Sequence, residues 1–283
     1  MDLSAFRQQV AQEWAGDDTA VAWQKYFPQL REQMAAVTNA VVEAARPQPG
    51  MRILDLASGN GEPALSLARR VAPNGHVTAT DLSEGMLNAL RVNAAAEQLT
   101  NIDTHACDAQ ELPFDDGSFD LATSRFGVMF FADTRAALRA ITRVLKPGGR
   151  AAFLVWGPPA PGTYFGAAAL PYMRRLAVKP DPDGPGPMRF AEPRKLASLL
   201  EEVGFANVEE RSANLPAAYP GSPQELLRSM MDLAAPFRNA AATLSHEART
   251  AAEQEALSNL SAVYDGVFTR VTAPVVIVTG ARS

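Results

Sequence analysis

The chain is poor in the residues that mark several common functions. One cysteine, Cys107, stands among 283 residues, so no internal disulfide can form and no oxidising compartment is implied. Three histidines, at 76, 105 and 246, offer no Cys/His cluster for zinc, and no carboxylate set suggests a divalent-cation site. No metal is expected. No apolar run approaches the ~20 residues needed to cross a bilayer, and the start, MDLSAFRQQVAQEW, lacks the unbroken apolar core of a secretion signal. Lys and Arg nowhere gather into a stripe, and the formal net charge is −5, so a phosphate backbone has no obvious dock. Nucleic acid and a membrane span are therefore set aside, and the cytoplasm is the expected compartment. What is present, 47% hydrophobic and 20% charged residues, is ordinary for a soluble globular chain. Nothing in it separates a monomer from a homodimer.

Periodicity supplies the architecture. Pro28 suits a first helical turn, and Leu30, Met34, Val37 and Val41 follow at helical spacing up to the breaker Pro47-Gln48-Pro49-Gly50. Strands and helices then alternate: strand 52–57, helix 62–71, strand 76–80, a helix from the N-cap Ser83 to Glu97, strand 102–106, strand 119–124, helix 134–145, strand 151–156. Such alternation implies an α/β fold with a doubly wound, mostly parallel sheet of seven strands, whose ligands bind at the carboxyl ends of the strands. Residues 1–48 read as an N-terminal helical segment serving as a lid, and residues 49–156 as the binding core. Residues 157–191 hold prolines at 158, 159, 161, 171, 180, 182, 185 and 187 and read as an irregular, substrate-side insertion. Residues 192–283 complete the sheet, with a strand from Phe205, a helical cap at about 223–263 and a last strand over 272–279.

The chemistry-bearing residues fall on the expected strand ends. Asp55 lies inside the apolar run of the first strand, where a buried carboxylate needs a partner. The turn Ala57-Ser58-Gly59-Asn60-Gly61 follows it, and glycines there admit a ligand close to the backbone. Gly59-x-Gly61-x-x-Ala64 also fits a dinucleotide loop, which keeps an NAD(P)-dependent oxidoreductase as an alternative. Glu62, at the helix start, would repel a pyrophosphate. Asp81 ends the second strand, where a carboxylate can accept both hydroxyls of a ribose in either class of ligand. Asp108-Ala109 follows the third strand, where the carboxylate could accept from an adenine amino group and the Ala109 N–H could donate to the ring; a plain Asx turn fits equally.

Taken together, Asp55-x-Ala57-x-Gly59-x-Gly61, Asp81, Asp108-Ala109, the run Leu112 to Asp120 and the run Arg143 to Gly149 resemble the class I S-adenosylmethionine-dependent methyltransferases, and within them the subgroup containing the ubiquinone/menaquinone C-methyltransferases. The likeness covers residues 45–156 and, more weakly, 190–208. It implies S-adenosyl-L-methionine as cofactor, with S-adenosyl-L-homocysteine as product. It also implies that Asp55 and the Ala57–Gly61 backbone hold the methionine portion, Asp81 the ribose, Asp108 and Ala109 the adenine, and that Leu82 and Met86 sandwich its ring. Arg125 or its neighbours would line the end of the fourth strand. Ala57 stands where the family most often has its first glycine, and Ser58 could add a hydrogen bond. A non-catalytic cofactor-binding protein on the same fold remains the other alternative.

The acceptor is far less legible. Trp23, Tyr26, Phe27, Phe126, Met129 and Phe130 suggest a small, partly apolar molecule, although the same aromatics could simply pack the cap onto the sheet. Arg125 could serve an acidic acceptor, the cofactor carboxylate or a structural ion pair. His76 and His105 are placed near strand starts, away from the active edge. His246, Tyr26 and Tyr164 are the candidate general bases, none of them singled out by spacing.

Overall fold

The computed structural model describes residues 17–177 and 181–283; the first sixteen residues of the expected lid, and Pro180 of the proline-rich segment, lie outside them. Strands β1 (Arg52–Leu56), β2 (His76–Asp81), β3 (Ile102–Ala106), β4 (Phe119–Arg125), β5 (Leu145–Trp156), β6 (Phe205–Pro220) and β7 (Phe268–Arg282) form one sheet in the order β3-β2-β1-β4-β5-β7-β6. β1 to β5 pair in parallel, and β7 runs antiparallel to both β5 and β6. β6 therefore points the same way as β5. The chain leaves β1 for β2 on one side and reaches β4 on the other, so the reversal of winding falls at the carboxyl end of β1.

The sheet's middle is apolar on both faces. Ile53, Leu54, Leu56, Ala122, Phe153 and Leu154 are fully buried, as expected of parallel strands sandwiched between helices. The helix α6 (Thr134–Val144) buries Leu138, Ile141 and Val144 along one stripe and starts from the Asp133 carboxylate, which accepts from the Ala136 N–H at 2.9 Å. The helix α5 (Glu84–Ala96) starts from Ser83, whose hydroxyl accepts from the Met86 N–H at 3.3 Å, as its sequence predicts.

Several expectations need correction. The helix expected from Pro28 to Val41 is broken at Met34 into α2 (Phe27–Gln33) and α3 (Ala35–Ala45), preceded by α1 (Asp17–Lys25); the break turns the chain across the strand ends. The helix expected from Glu62 begins later, as α4 (Ala64–Val71), because Pro63 stands at its N-cap and Glu62 stays in the turn. The proline-rich insertion holds two short helices, α7 (Tyr164–Ala168), which starts from the Thr163 cap, and α8 (Leu170–Met173), which carries Pro171 in its first turn. His105 lies one residue from the end of β3, not near its start.

The largest departure is at the last two strands. After α9 (Lys195–Glu202), β6 runs far beyond the expected stretch, and β7 starts earlier than expected. Trp156, the last residue of β5, is level with Val275 of β7, which pairs with Ala213 of β6. Asn214 to Pro220 and their β7 partners thus project roughly 20 Å past the end of β5, at ~3.3 Å per residue. Between the two projecting strands lie α10 (Pro223–Leu233), α11 (Ala235–Ala242) and α12 (His246–Ser261). This hairpin with its helices forms a wall on one side of the ligand edge.

Candidate functional site

The first half of the site is built from the ends of β1, β2 and β4. Asp55 is fully buried, and its Oδ1 accepts from the Thr123 hydroxyl of the neighbouring β4 at 2.5 Å. Burial pushes its pKa up to about 7, against the opposing pull of the hydroxyls of Thr123 and Ser58 and the Arg125 charge. Its second oxygen, Oδ2, has no hydrogen-bond partner among the described residues. Two residues beyond Thr123, on the same face of β4, Arg125 donates from Nη1 to Thr38 of α3 at 2.6 Å, and its Nε is likewise buried without a partner. An anionic oxygen and a cationic N–H, both unsatisfied, thus stand on adjacent strands. Their complement is a zwitterion with one ammonium and one carboxylate, which is the amino-acid end of S-adenosylmethionine; the residues present fit that group.

The turn after β1 is held tightly. Ala57 adopts a left-handed backbone, φ +51°, and so does Phe126 after β4, φ +61°. Gly127 sits between them so closely that a Cβ there would lie 2.5 Å from the Ala57 Cβ and 2.5 Å from Ser124 Oγ. The Ser58 N–H donates to the Thr80 carbonyl at 2.9 Å and the Ser58 hydroxyl to the Asp55 carbonyl at 3.0 Å. Asn60 donates from Nδ2 to the Trp23 carbonyl at 2.9 Å, tying the turn to the N-terminal helices, while its own carbonyl accepts from Asn93 at 2.8 Å. Glu62, buried, pairs with Arg31 of α2 at 3.2 Å and Arg69 of α4 at 3.4 Å. Paired in this way, Glu62 ties α2 and α4 to the turn rather than presenting a free charge to a ligand.

Asp81 closes the turn from the other side. Oδ2 accepts from the Gly59 N–H and Oδ1 from the Ser83 N–H, both at 2.9 Å. Burial raises its pKa and these N–H groups oppose the rise. Leu82, beside it, is 43% exposed, and Met86 is buried one turn into α5. At the end of β3, Asp108 accepts from the Gln110 N–H at 2.9 Å, an Asx turn, and Ala109 is buried. Gln110 also reaches the Asp133 N–H at 3.1 Å, which fixes this loop to the start of α6. His105 packs edge-on against Phe114 and pairs with Asp103 at 2.9 Å. It is therefore close to the third strand's carboxyl end, engaged in surface packing.

The second half is rich in aromatic rings. Phe126 stacks on Trp156 at 4.0 Å, Trp156 on Tyr164 at 5.8 Å, and Phe165 meets both edge-on, so an aromatic file runs from the end of β4 across β5 to α7. Burial pushes the Tyr164 phenol well above its ordinary pKa, and burial with the Asp232 hydrogen bond raises that of Tyr26. Neither is a ready phenolate. Tyr26 donates to Asp232 at 2.7 Å and Trp23 donates to the Leu233 carbonyl at 3.1 Å, so both tie α1 and α2 to α10. Phe27 and Met129 are buried in the core, and Phe130 packs partly buried against it. His246 is exposed at the first residue of α12, and among the described residues no hydrogen bond or ion pair joins it to the strand ends.

Sequence reasoning missed Thr38, Thr123, Gly127, Trp156 and Tyr219. Only Trp156, as the last residue of an expected strand, carried a signal; the others depend on which strands and helices become neighbours.

Comparison with known proteins agrees with this geometry. A methyltransferase-domain family model matches residues 53–149, the stretch that carries Asp55, Asp81, Asp108 and Arg125. The demethylmenaquinone methyltransferase of Clavibacter sepedonicus is 36% identical over 183 residues, spanning 61% of this chain and 73% of the relative. The ubiquinone/menaquinone biosynthesis C-methyltransferase of Idiomarina loihiensis is 32% identical over 174 residues, 56% of this chain and 68% of the relative. Among solved structures, the Haemonchus contortus phosphoethanolamine N-methyltransferase 2 in complex with S-adenosyl-L-methionine shares the fold, with a TM-score of 0.57 at 19% identity over 98% of this chain and 60% of that one. The chain belongs to the class I S-adenosylmethionine-dependent methyltransferases, in the group that resembles the ubiquinone/menaquinone C-methyltransferases.

Proposed function

We propose that this methyltransferase alkylates a small, neutral, electron-rich aromatic, in the manner of a phenol or hydroquinone, at a ring carbon: the S–CH3 bond breaks as the C–CH3 bond forms, and the ring proton is then lost to water. The observation that carries the reading is the uncharged file Phe126–Trp156–Tyr164 along the ends of β4 and β5, flanked by the β6–β7 wall. A flat ring lies well on such a surface. The names of the quinone-methylating relatives support the same class of acceptor.

S-adenosylmethionine, when bound, supplies an electrophilic methyl on a sulfonium. Asp55 faces its ammonium and Arg125 its carboxylate, Asp81 takes the ribose hydroxyls, and Asp108 with Ala109 takes the adenine edge between Leu82 and Met86. The turn from Ala57 to Gly61 presents backbone to the same ligand. Glycine and alanine leave the approach open there. The chain's contribution to rate is positioning and exclusion of water, worth about 7–11 kcal/mol in favourable cases. The absence of a ready phenolate at Tyr26 or Tyr164 suits an acceptor whose ring carbon is itself nucleophilic better than an unactivated alcohol. The N-terminal helices, fixed to Asn60, Arg125 and α10, cover both halves.

The test is a product-mass and fragmentation screen of the purified protein with S-adenosylmethionine and a panel of hydroquinones, phenols, amines and thiols. Ring-methylated phenol or hydroquinone is expected. Methylated amines or thiols without ring products would overturn the reading.

A further inference from the structure

We propose that Gln29 and Gln33 read the hydroxyl groups of the acceptor, their side-chain carbonyls accepting hydrogen bonds from a ligand that carries O–H donors. The inference rests on the proposed aromatic acceptor. It goes beyond it by naming what distinguishes the accepted molecule from one of the same shape.

Helix α2 has two different faces. Arg31 points to the donor side, pairing with Glu62 and Glu97. Gln29 and Gln33, two residues either side of it and one turn apart, share the opposite face. Gln33 is 2% exposed and donates from Nε2 to the Ala217 carbonyl at 3.4 Å. Since that partner is a carbonyl, the amide nitrogen must face it, and Oε1 is left as the free end. Oε1 of Gln33 and Oε1 of Gln29 are both buried, and among the described residues neither has a donor.

They lie over the projecting part of β6. Tyr219, two residues beyond Ala217 and so on the same face of the strand, is buried. Its phenol is flanked by Ser229 of α10 and by Tyr164, the last ring of the aromatic file. The surroundings are polar, with the Glu225 and Asp232 carboxylates beside Tyr219 and Tyr26, and two acceptors there lack donors among the described residues. A hydroquinone or phenol supplies those donors; the oxidised quinone and the methyl ether have none. A site with a built-in hydrogen-bonding partner rejects the analogue that leaves it unpaired far more strongly than an apolar pocket rejects a shape.

The experiment is equilibrium binding to the protein saturated with S-adenosylhomocysteine, read by calorimetry. The probes are 1,4-dihydroxynaphthalene under anaerobic reducing conditions and 1,4-dimethoxynaphthalene. The wild type should bind the diol at least tenfold tighter than the diether. Gln33→Met and Gln29→Met should each shrink that ratio to about threefold or less, with S-adenosylhomocysteine affinity held as the control for folding. Should Gln33→Met fail to fold, the wild-type ratio and the half-buried Gln29 still decide. Equal binding of both probes overturns the proposal and leaves the aromatic acceptor standing. A wild-type preference that survives both substitutions removes the two glutamines. Binding of neither probe overturns the acceptor reading and this proposal with it.

Discussion

The two halves of the ligand edge are made of different materials. The donor half, at the ends of β1, β2 and β4, is charged and strained. It holds Asp55, Asp81 and Arg125 at strand ends and Glu62 in the turn after β1, where Ala57, like Phe126 after β4, adopts left-handed backbone. The acceptor half, at the end of β5 and along the overhang of β6, is made of rings, amides and phenols. The difference follows from what each must hold. A zwitterion and a ribose demand fixed charges and short hydrogen bonds, whereas a neutral ring demands surface and a few directed polar groups. Substitutions in one half should therefore leave binding to the other largely intact.

The largest expected effect is at Asp81. Its carboxylate accepts from Gly59 and Ser83 and is proposed to accept the ribose hydroxyls, and hydrogen bonds to a charged group contribute ~1.5–3 kcal/mol each. Asp81→Ala should weaken S-adenosylhomocysteine binding at least tenfold by calorimetry while acceptor binding is retained. Unchanged affinity removes Asp81 from the site.

Asp55 comes next, and pH sharpens it. With its pKa raised to about 7 by burial, the folded state holds a proton that the unfolded state releases near pH 4. Stability from this group is present at low pH and is lost as pH rises from about 4 through about 7. Asp55→Asn should therefore raise the melting temperature of the unliganded protein at pH 8, with the gain closing towards pH 4. A ligand ammonium requires the ionised carboxylate, so S-adenosylhomocysteine affinity should rise from pH 6 to 8 and binding near pH 6.5 should release protons. The same variant should lose about tenfold in affinity at pH 8, and methylthioadenosine, which has no amino-acid end, should bind it as it binds the wild type. Equal losses for both ligands would sink the assignment of Asp55 to the ammonium.

How far the sequence could reveal these halves follows from how each is made. Asp55, Asp81 and Asp108 each stand within two residues of a strand end, where periodicity locates them, while their assignment to a ligand comes from the family resemblance. Thr123 and Thr38 could not be found that way, because their partners, Asp55 and Arg125, are 68 and 87 residues distant. The acceptor half fares worse. The sequence pattern marks only the start of this strand, from Phe205, and not its run through Pro216 and Pro220, which an edge strand tolerates. The overhang that carries Tyr219 over the site was thus invisible. His105 stands near the end of β3, as the expected bounds 102–106 themselves imply.

Thr38 tests whether the N-terminal helices belong to the donor half. Thr38→Val removes the 2.6 Å bond to Arg125 and should weaken S-adenosylhomocysteine binding by a few-fold, on the scale of ~1 kcal/mol for one hydrogen bond. A loss confined to acceptor KM would move Arg125 to the other half.

The smallest effect is expected at Ala57. A non-glycine residue in left-handed backbone costs ~1–2 kcal/mol, while glycine gives back roughly 0.5–1 kcal/mol in unfolded-chain entropy. Ala57→Gly should therefore raise the melting temperature by only a few degrees. Gly127→Ala, placing a Cβ 2.5 Å from the Ala57 Cβ, should lower it, by about 1–3 kcal/mol of overpacking. The double variant is the informative one. The Ala57 methyl is one of three groups the new Cβ meets, the others being Ser124 Oγ and the Leu56 carbonyl, so removing that methyl should recover part of the loss. Strict additivity of the two substitutions in thermal melts would mean that the turns after β1 and β4 do not bear on one another, and the donor half would then be two separate loops rather than one strained unit.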